Sequence, residues 1–150
     1  MERLKRNPAT LGLILGGVIV SASTFFTWLV VENSSGDERI RAINTVAGQT
    51  IFFLGLFAGL CGVFVMLSLG KGKYVVATLG LLAAGVALAA ALWGLVDAEG
   101  FAARFADVEA FDEGTLSARA AIGLFIGLGG GVLAVLGALL SYWFTPPVAE

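Results

Sequence analysis

A chain of 150 residues with 58% hydrophobic residues, 13% charged residues and a formal net charge of −2 has the composition of neither a soluble nor a disordered domain. Soluble domains carry roughly 25% charged and about 45–50% apolar residues, so the surplus here must face lipid, and a solvated disordered chain holds far less apolar material. With no histidine and one cysteine, Cys61, haem and zinc lack their usual ligands and a disulfide framework lacks a second thiol.

In chain order, a basic tail with Arg3, Lys5 and Arg6 leads into four runs free of Asp, Glu, Lys and Arg, at about 11–31, 50–69, 74–95 and 120–143. At ~1.5 Å per residue, about 20 residues cross the ~30 Å hydrocarbon layer. Each run therefore predicts a transmembrane helix. A closed barrel is excluded because these runs lack its alternation of polar and apolar residues. The first run resembles a secretion signal ending at Ser21-Ala22-Ser23, but Phe25 to Val31 extend it beyond an ordinary signal core, so it reads as a retained anchor. The predicted fold class is all-α: one integral membrane domain, a polytopic four-transmembrane-helix bundle with a short extracellular amphipathic helix.

Two loops, 32–49 and 96–119, and a turn at 70–73 connect the runs. The turn carries Lys71 and Lys73, and such short basic segments stay in the cytoplasm. Both termini are therefore expected inside and the two acidic loops outside, in the plasma membrane. Trp28, Phe52, Phe53 and Trp93 would mark the outer interface and Tyr74, Tyr142, Trp143 and Phe144 the inner one. Pro146 and Pro147 would stop the last helix. In the longer loop Phe101, Phe105, Val108 and Phe111 recur at helical spacing, giving the amphipathic helix. In the shorter loop Ile40, Ile43 and Val46 follow Asp37 as a weaker helical pattern, with Asp37 as its cap.

Small residues dominate the spans. Gly12 and Gly16, Gly55 and Gly59, and Gly123, Gly127 and Gly131 each repeat at four-residue intervals, a face that allows helix backbones to approach closely. They either pack the bundle internally or, on the fourth helix with Gly129-Gly130-Gly131, dock a partner. The triplet is no phosphate loop, since it lies mid-span without a following Gly-Lys-Ser. Hydroxyls at Ser21, Ser23, Thr24 and Thr27 read as backbone-bonded, although Ser23, Thr27, Trp28, Gln49 and Trp93 could together line a pocket near the outer ends. No ionisable residue lies within a span, which disfavours coupled transport. The acidic residues Asp107, Glu109, Asp112 and Glu113 lack the ordered spacing of a calcium loop, and no nucleophile or oxyanion site accompanies them, so catalysis is not expected.

The basic tail, the Phe25-Phe26-Thr27-Trp28 end of the first run, the Lys71-Gly72-Lys73 turn and the glycines of the last run resemble the small four-span membrane proteins of unknown function common in actinobacteria. That resemblance implies a plasma-membrane location and no particular activity. The span order is also similar to that of claudins, but their Gly-Leu-Trp motif and paired cysteines are missing. The sequence therefore predicts a non-catalytic membrane protein without cofactor or metal, an accessory subunit or scaffold whose partners are lipids and other membrane subunits and not nucleic acid. A lipid-binding, small-molecule-binding or passive-transport protein using the outer pocket is the alternative.

Overall fold

A computed structural model of the chain describes residues 8–33, 36–67, 72–105 and 115–143. The elements are α1 (Pro8–Ser23), β1 (Thr27–Asn33), β2 (Gly36–Arg41), a 3-10 turn (Ala42–Asn44), α2 (Val46–Leu67), α3 (Gly72–Val96), α4 (Ala98–Phe105), β3 (Thr115–Ala120) and α5 (Ile122–Trp143). The chain is mostly helical, and α2, α3 and α5 are each long and apolar enough to cross a membrane. The helix α1 is apolar but has only 16 residues, about 24 Å at ~1.5 Å per residue.

The four apolar helices form an antiparallel ring in which α1 and α3 each pack between α2 and α5, while the diagonal pairs barely touch. Residue size decides which face turns inward. Every buried residue of α3 is Gly or Ala: Ala77, Gly80, Ala83, Ala84, Ala87, Ala90, Ala91 and Gly94. The bulky side chains point out, among them Phe53, Phe57, Leu60 and Phe64 on α2 and Leu82 and Val86 on α3. Lipid solvates such a surface where water would not, and with no hydrophobic drive between helices in lipid, close backbone contact over small residues holds the bundle. Leu13 is the one large side chain in the mid-bundle cluster, fully buried among Ala58, Ala83, Ala84, Ala134 and Ala138.

The structure corrects the first predicted span. The apolar run 11–31 is not one helix, because α1 stops at Ser23 and residues 27–31 enter β1. Hydroxyls compete for the last carbonyls: Ser23 Oγ donates to the Val20 carbonyl at 2.6 Å and Thr24 Oγ1 to the Ser21 carbonyl at 2.7 Å. The amides of Thr24, Phe25 and Phe26 each reach back only three residues, tightening the final turn. Thr27 to Val31, aromatic or β-branched at every position but Leu29, then suit a strand.

The all-α class is corrected as well, because both connecting loops contain strands. They form an antiparallel sheet of order β2-β1-β3. In register, Leu29 faces Ile40 and Ala120, Val30 faces Arg39 and Arg119, Val31 faces Glu38 and Ala118, and Glu32 faces Asp37 and Ser117. Asp37, expected to cap a helix, therefore lies in a strand. Ile43 falls in the 3-10 turn, and the cap of α2 is Thr45, whose Oγ1 accepts the Gly48 amide at 3.0 Å.

Candidate functional site

The sheet closes the end of the bundle where α1 and α3 finish and α2 and α5 begin. Strand alternation turns Leu29 and Val31 toward the helices, 1% and 0% exposed, and Val30 and Glu32 away. An irregularity between Thr27 and Leu29 lets Trp28 turn into the core too. Its Nε1–H donates to the Ser23 carbonyl at 2.8 Å, satisfying an acceptor that the helix end leaves open. The Ala121 amide donates to the Trp28 carbonyl, tying the sheet to the start of α5 as well as to the end of α1, and the Ile43 amide donates to the Thr24 carbonyl, tying the 3-10 turn to the end of α1.

Phe101 of α4 stacks on Trp28, with centroids 6.2 Å apart, and meets Trp93 edge-on at 5.9 Å. Asp97 positions it, since its Oδ1 accepts the Gly100 amide at 2.9 Å and its carbonyl accepts the Phe101 amide at 2.9 Å. The helix α4 covers only the start of the expected amphipathic stretch and buries Phe101 and Ala102. The side chain of Phe105, together with Val108, Phe111 and the acidic residues Asp107, Glu109, Asp112 and Glu113, lies outside the described residues.

Of the five expected pocket residues, the structure joins Ser23 to Trp28 directly and Trp28 to Trp93 through Phe101. Thr27 is half-buried, and Gln49 is exposed, its Nε2 donating to the Ile43 carbonyl at 3.3 Å. The neighbouring cleft, lined among others by Trp28, Ile40, Ala42, Gly48, Ile51 and Phe101, offers about 10 Å³ to the centre of a water molecule, roughly one water's worth. Ser21, Ser23 and Thr24 are occupied structurally, Ser21 Oγ donating across helices to the Phe52 carbonyl at 2.8 Å.

The glycines that sequence reasoning singled out line contacts within the chain. A Cβ on Gly12 would meet the Gly137 Cα, one on Gly16 the Ala134 backbone, and one on Gly55 the backbone of Gly17 and Ser21. Gly59 faces the Ile14 backbone, Gly123 faces Trp28, Gly127 faces Ser23 and Gly131 faces Leu88. Gly129 alone of the α5 triplet faces open space.

The sheet face turned away from the bundle is charged. Arg39 and Arg119 flank Val30, and on the next rung Asp37 and Ser117 flank Glu32. Ser117 Oγ donates to Glu32 Oε2 at 3.1 Å, and Arg119 reaches diagonally to Asp37 at 3.5 Å, both groups more than half exposed. Sequence reasoning missed this face because the segments read as loops. The signals were a run of residue types that favour turns, Asn33-Ser34-Ser35-Gly36, and the alternation of Leu116, Ala118 and Ala120 with Ser117 and Arg119 in the sequence; Gly36 has φ +131°.

At the opposite end, Tyr74 and Tyr142 stack at 6.0 Å, the Thr78 and Tyr142 hydroxyls hydrogen-bond, and Lys73 lies over the Tyr74 ring. Among the described residues, no three cysteine or carboxylate side chains are grouped to hold a metal ion. Fold and surface together define a helical membrane protein with a charged sheet at one end. Comparison of the chain with protein-family models, curated proteins and solved structures finds no match.

Proposed function

We propose that the protein is a non-catalytic accessory subunit or scaffold of a membrane assembly, with α1 as a fourth span beside α2, α3 and α5. Both termini lie in the cytoplasm of a plasma-membrane protein and the sheet lies outside, as the basic residues near 1–6 and 70–73 favour. The observation that carries this reading is a core solid with Gly and Ala joined to a sheet whose far face presents Asp37, Arg39, Glu32 and Arg119 to solvent. Coupled carriers use ionisable groups inside the membrane, whereas the four apolar runs carry no Asp, Glu, Lys or Arg, and the cleft beside Trp28 and Phe101 holds about one water. The alternative, a lipid or small-molecule pocket at this end, would require the Trp28, Phe101 and Trp93 rings to part.

The glycine faces are used internally, so the sheet face is the better contact surface than the α5 glycines. Photo-crosslinkers placed at Arg39 and Arg119 in cells test this. The expected result is one defined adduct to a protein other than this chain from these positions and none from Glu99, an exposed residue on α4 and not on the sheet. Adducts only to lipid or to a second copy of this chain from both sheet positions would overturn the reading.

A further inference from the structure

We infer that the free edge of β2 pairs with the β2 edge of a second copy of this chain, joining two sheets across a two-fold axis. The sheet order leaves β2 with a neighbour on one side only, so among the described residues one row of its amides and carbonyls has no strand partner, the arrangement that templates strand addition. Its sequence, Gly36-Asp-Glu-Arg-Ile-Arg, places acids in the first half and bases in the second. Antiparallel pairing with itself therefore sets acid against base in both halves.

Geometry selects the register. The bundle lies against only one face of the sheet, that of Leu29 and Val31. Two bundles can share one membrane only if the axis runs through the sheets, which keeps like faces together. Of the pairings that satisfy this, the one centred on Arg39 sets Asp37 opposite Arg41 of the second copy, twice. It also places Glu38 beside Ile40, and each Arg39 gains a diagonal Asp37 while facing its counterpart on the solvated side. Centring on Glu38 would oppose two carboxylates on the face turned toward the bundles. Access is open: Glu38 shares the face of buried Val31 yet is exposed, so β2 overhangs the bundle. Confinement to one bilayer raises the effective concentration that a strand-sized contact needs.

This inference rests on the chain being a membrane protein and not on the scaffold role. The test is energy transfer between labelled full-length copies in phosphatidylcholine vesicles, titrated by dilution with lipid. Asp37→Arg and Arg41→Asp should each weaken association by roughly tenfold, since each turns two attractions into repulsions, and the double swap should restore it. Loss of the Asp37 contact with Arg119 is common to Asp37→Arg and to the double swap, so rescue isolates the pairing between copies. In a Cys61→Ala background, Arg39→Cys should form a disulfide-linked dimer. A monomeric wild-type chain, or a double swap no stronger than the single variants, overturns the inference. A dimer formed while the sheet face yields no other protein adduct refutes the scaffold reading alone, and a foreign adduct on a monomeric chain refutes the pairing alone.

Discussion

Replacing Gly16 with alanine tests how the bundle is held. A methyl group there would sit 2.3 Å from the Ala134 nitrogen, 2.6 Å from the Gly130 carbonyl oxygen and 2.7 Å from the Ala134 Cα. All three atoms are backbone, so no side chain can swing aside. Ordinary contact begins near 3.4 Å, and α1 must retreat from α5 by about 1 Å. A gap of that size forfeits about a quarter to a half of each facing dispersion contact, and overpacking of this kind costs about 1–3 kcal/mol. Because the three clashing atoms are all backbone, the upper end of that range applies, and the gain in helix propensity from Gly to Ala, about 1 kcal/mol, leaves a net loss of about 2 kcal/mol. Gly129→Ala is the matched control, because nothing lies within 4 Å of the added methyl, and it should be neutral or slightly stabilising. Unfolding by sodium dodecyl sulfate in mixed micelles, followed by tryptophan fluorescence, compares the two. A Gly16→Ala protein as stable as wild type, or a Gly129→Ala protein equally weakened, would show that the internal α1 and α5 contact is not what holds the helices.

Three further substitutions probe the sheet end. Trp28→Phe keeps a ring against Phe101 but removes the donor to the Ser23 carbonyl, so the same unfolding assay should show a loss of about 1–2 kcal/mol; an unchanged midpoint would refute a structural role for that bond. Asp97→Ala removes the cap of α4 and should cost about 1 kcal/mol, read as faster hydrogen exchange at the Gly100 and Phe101 amides with α3 unaffected; spread of that exchange into α3 would count against a local cap. Arg119→Ala removes an exposed ion pair with Asp37 and should change stability by less than about 1 kcal/mol, and a larger loss in thermal unfolding would mean the pair anchors the sheet.

Much of the helical architecture is legible in the sequence from charge exclusion over length. The expected runs 50–69, 74–95 and 120–143 correspond to α2 at Val46–Leu67, α3 at Gly72–Val96 and α5 at Ile122–Trp143. The candidate site is legible only in fragments. Ser23, Trp28, Trp93 and Phe101 stand out as residues, yet Trp28 reads as an interfacial anchor when it is a buried keystone, 2% exposed, and Gln49 reads as a pocket residue when it faces solvent. Hydrophobic content cannot separate a helix that continues from a strand that begins, so the fate of Thr27 to Val31 is hidden in the run that contains them.

The chain's own residues determine that long apolar stretches exist and that none holds a charge, because helix length against bilayer thickness is a local property of consecutive residues. Tertiary structure decides what local pattern cannot. Val30 becomes the centre of a sheet because Arg119, 89 positions later, arrives beside it, and Gly16 becomes a contact because Gly130 and Ala134 of α5 cross there. In both places the deciding partner is distant in sequence, and small or β-branched residues permit more than one neighbour until the bundle brings one of them within reach.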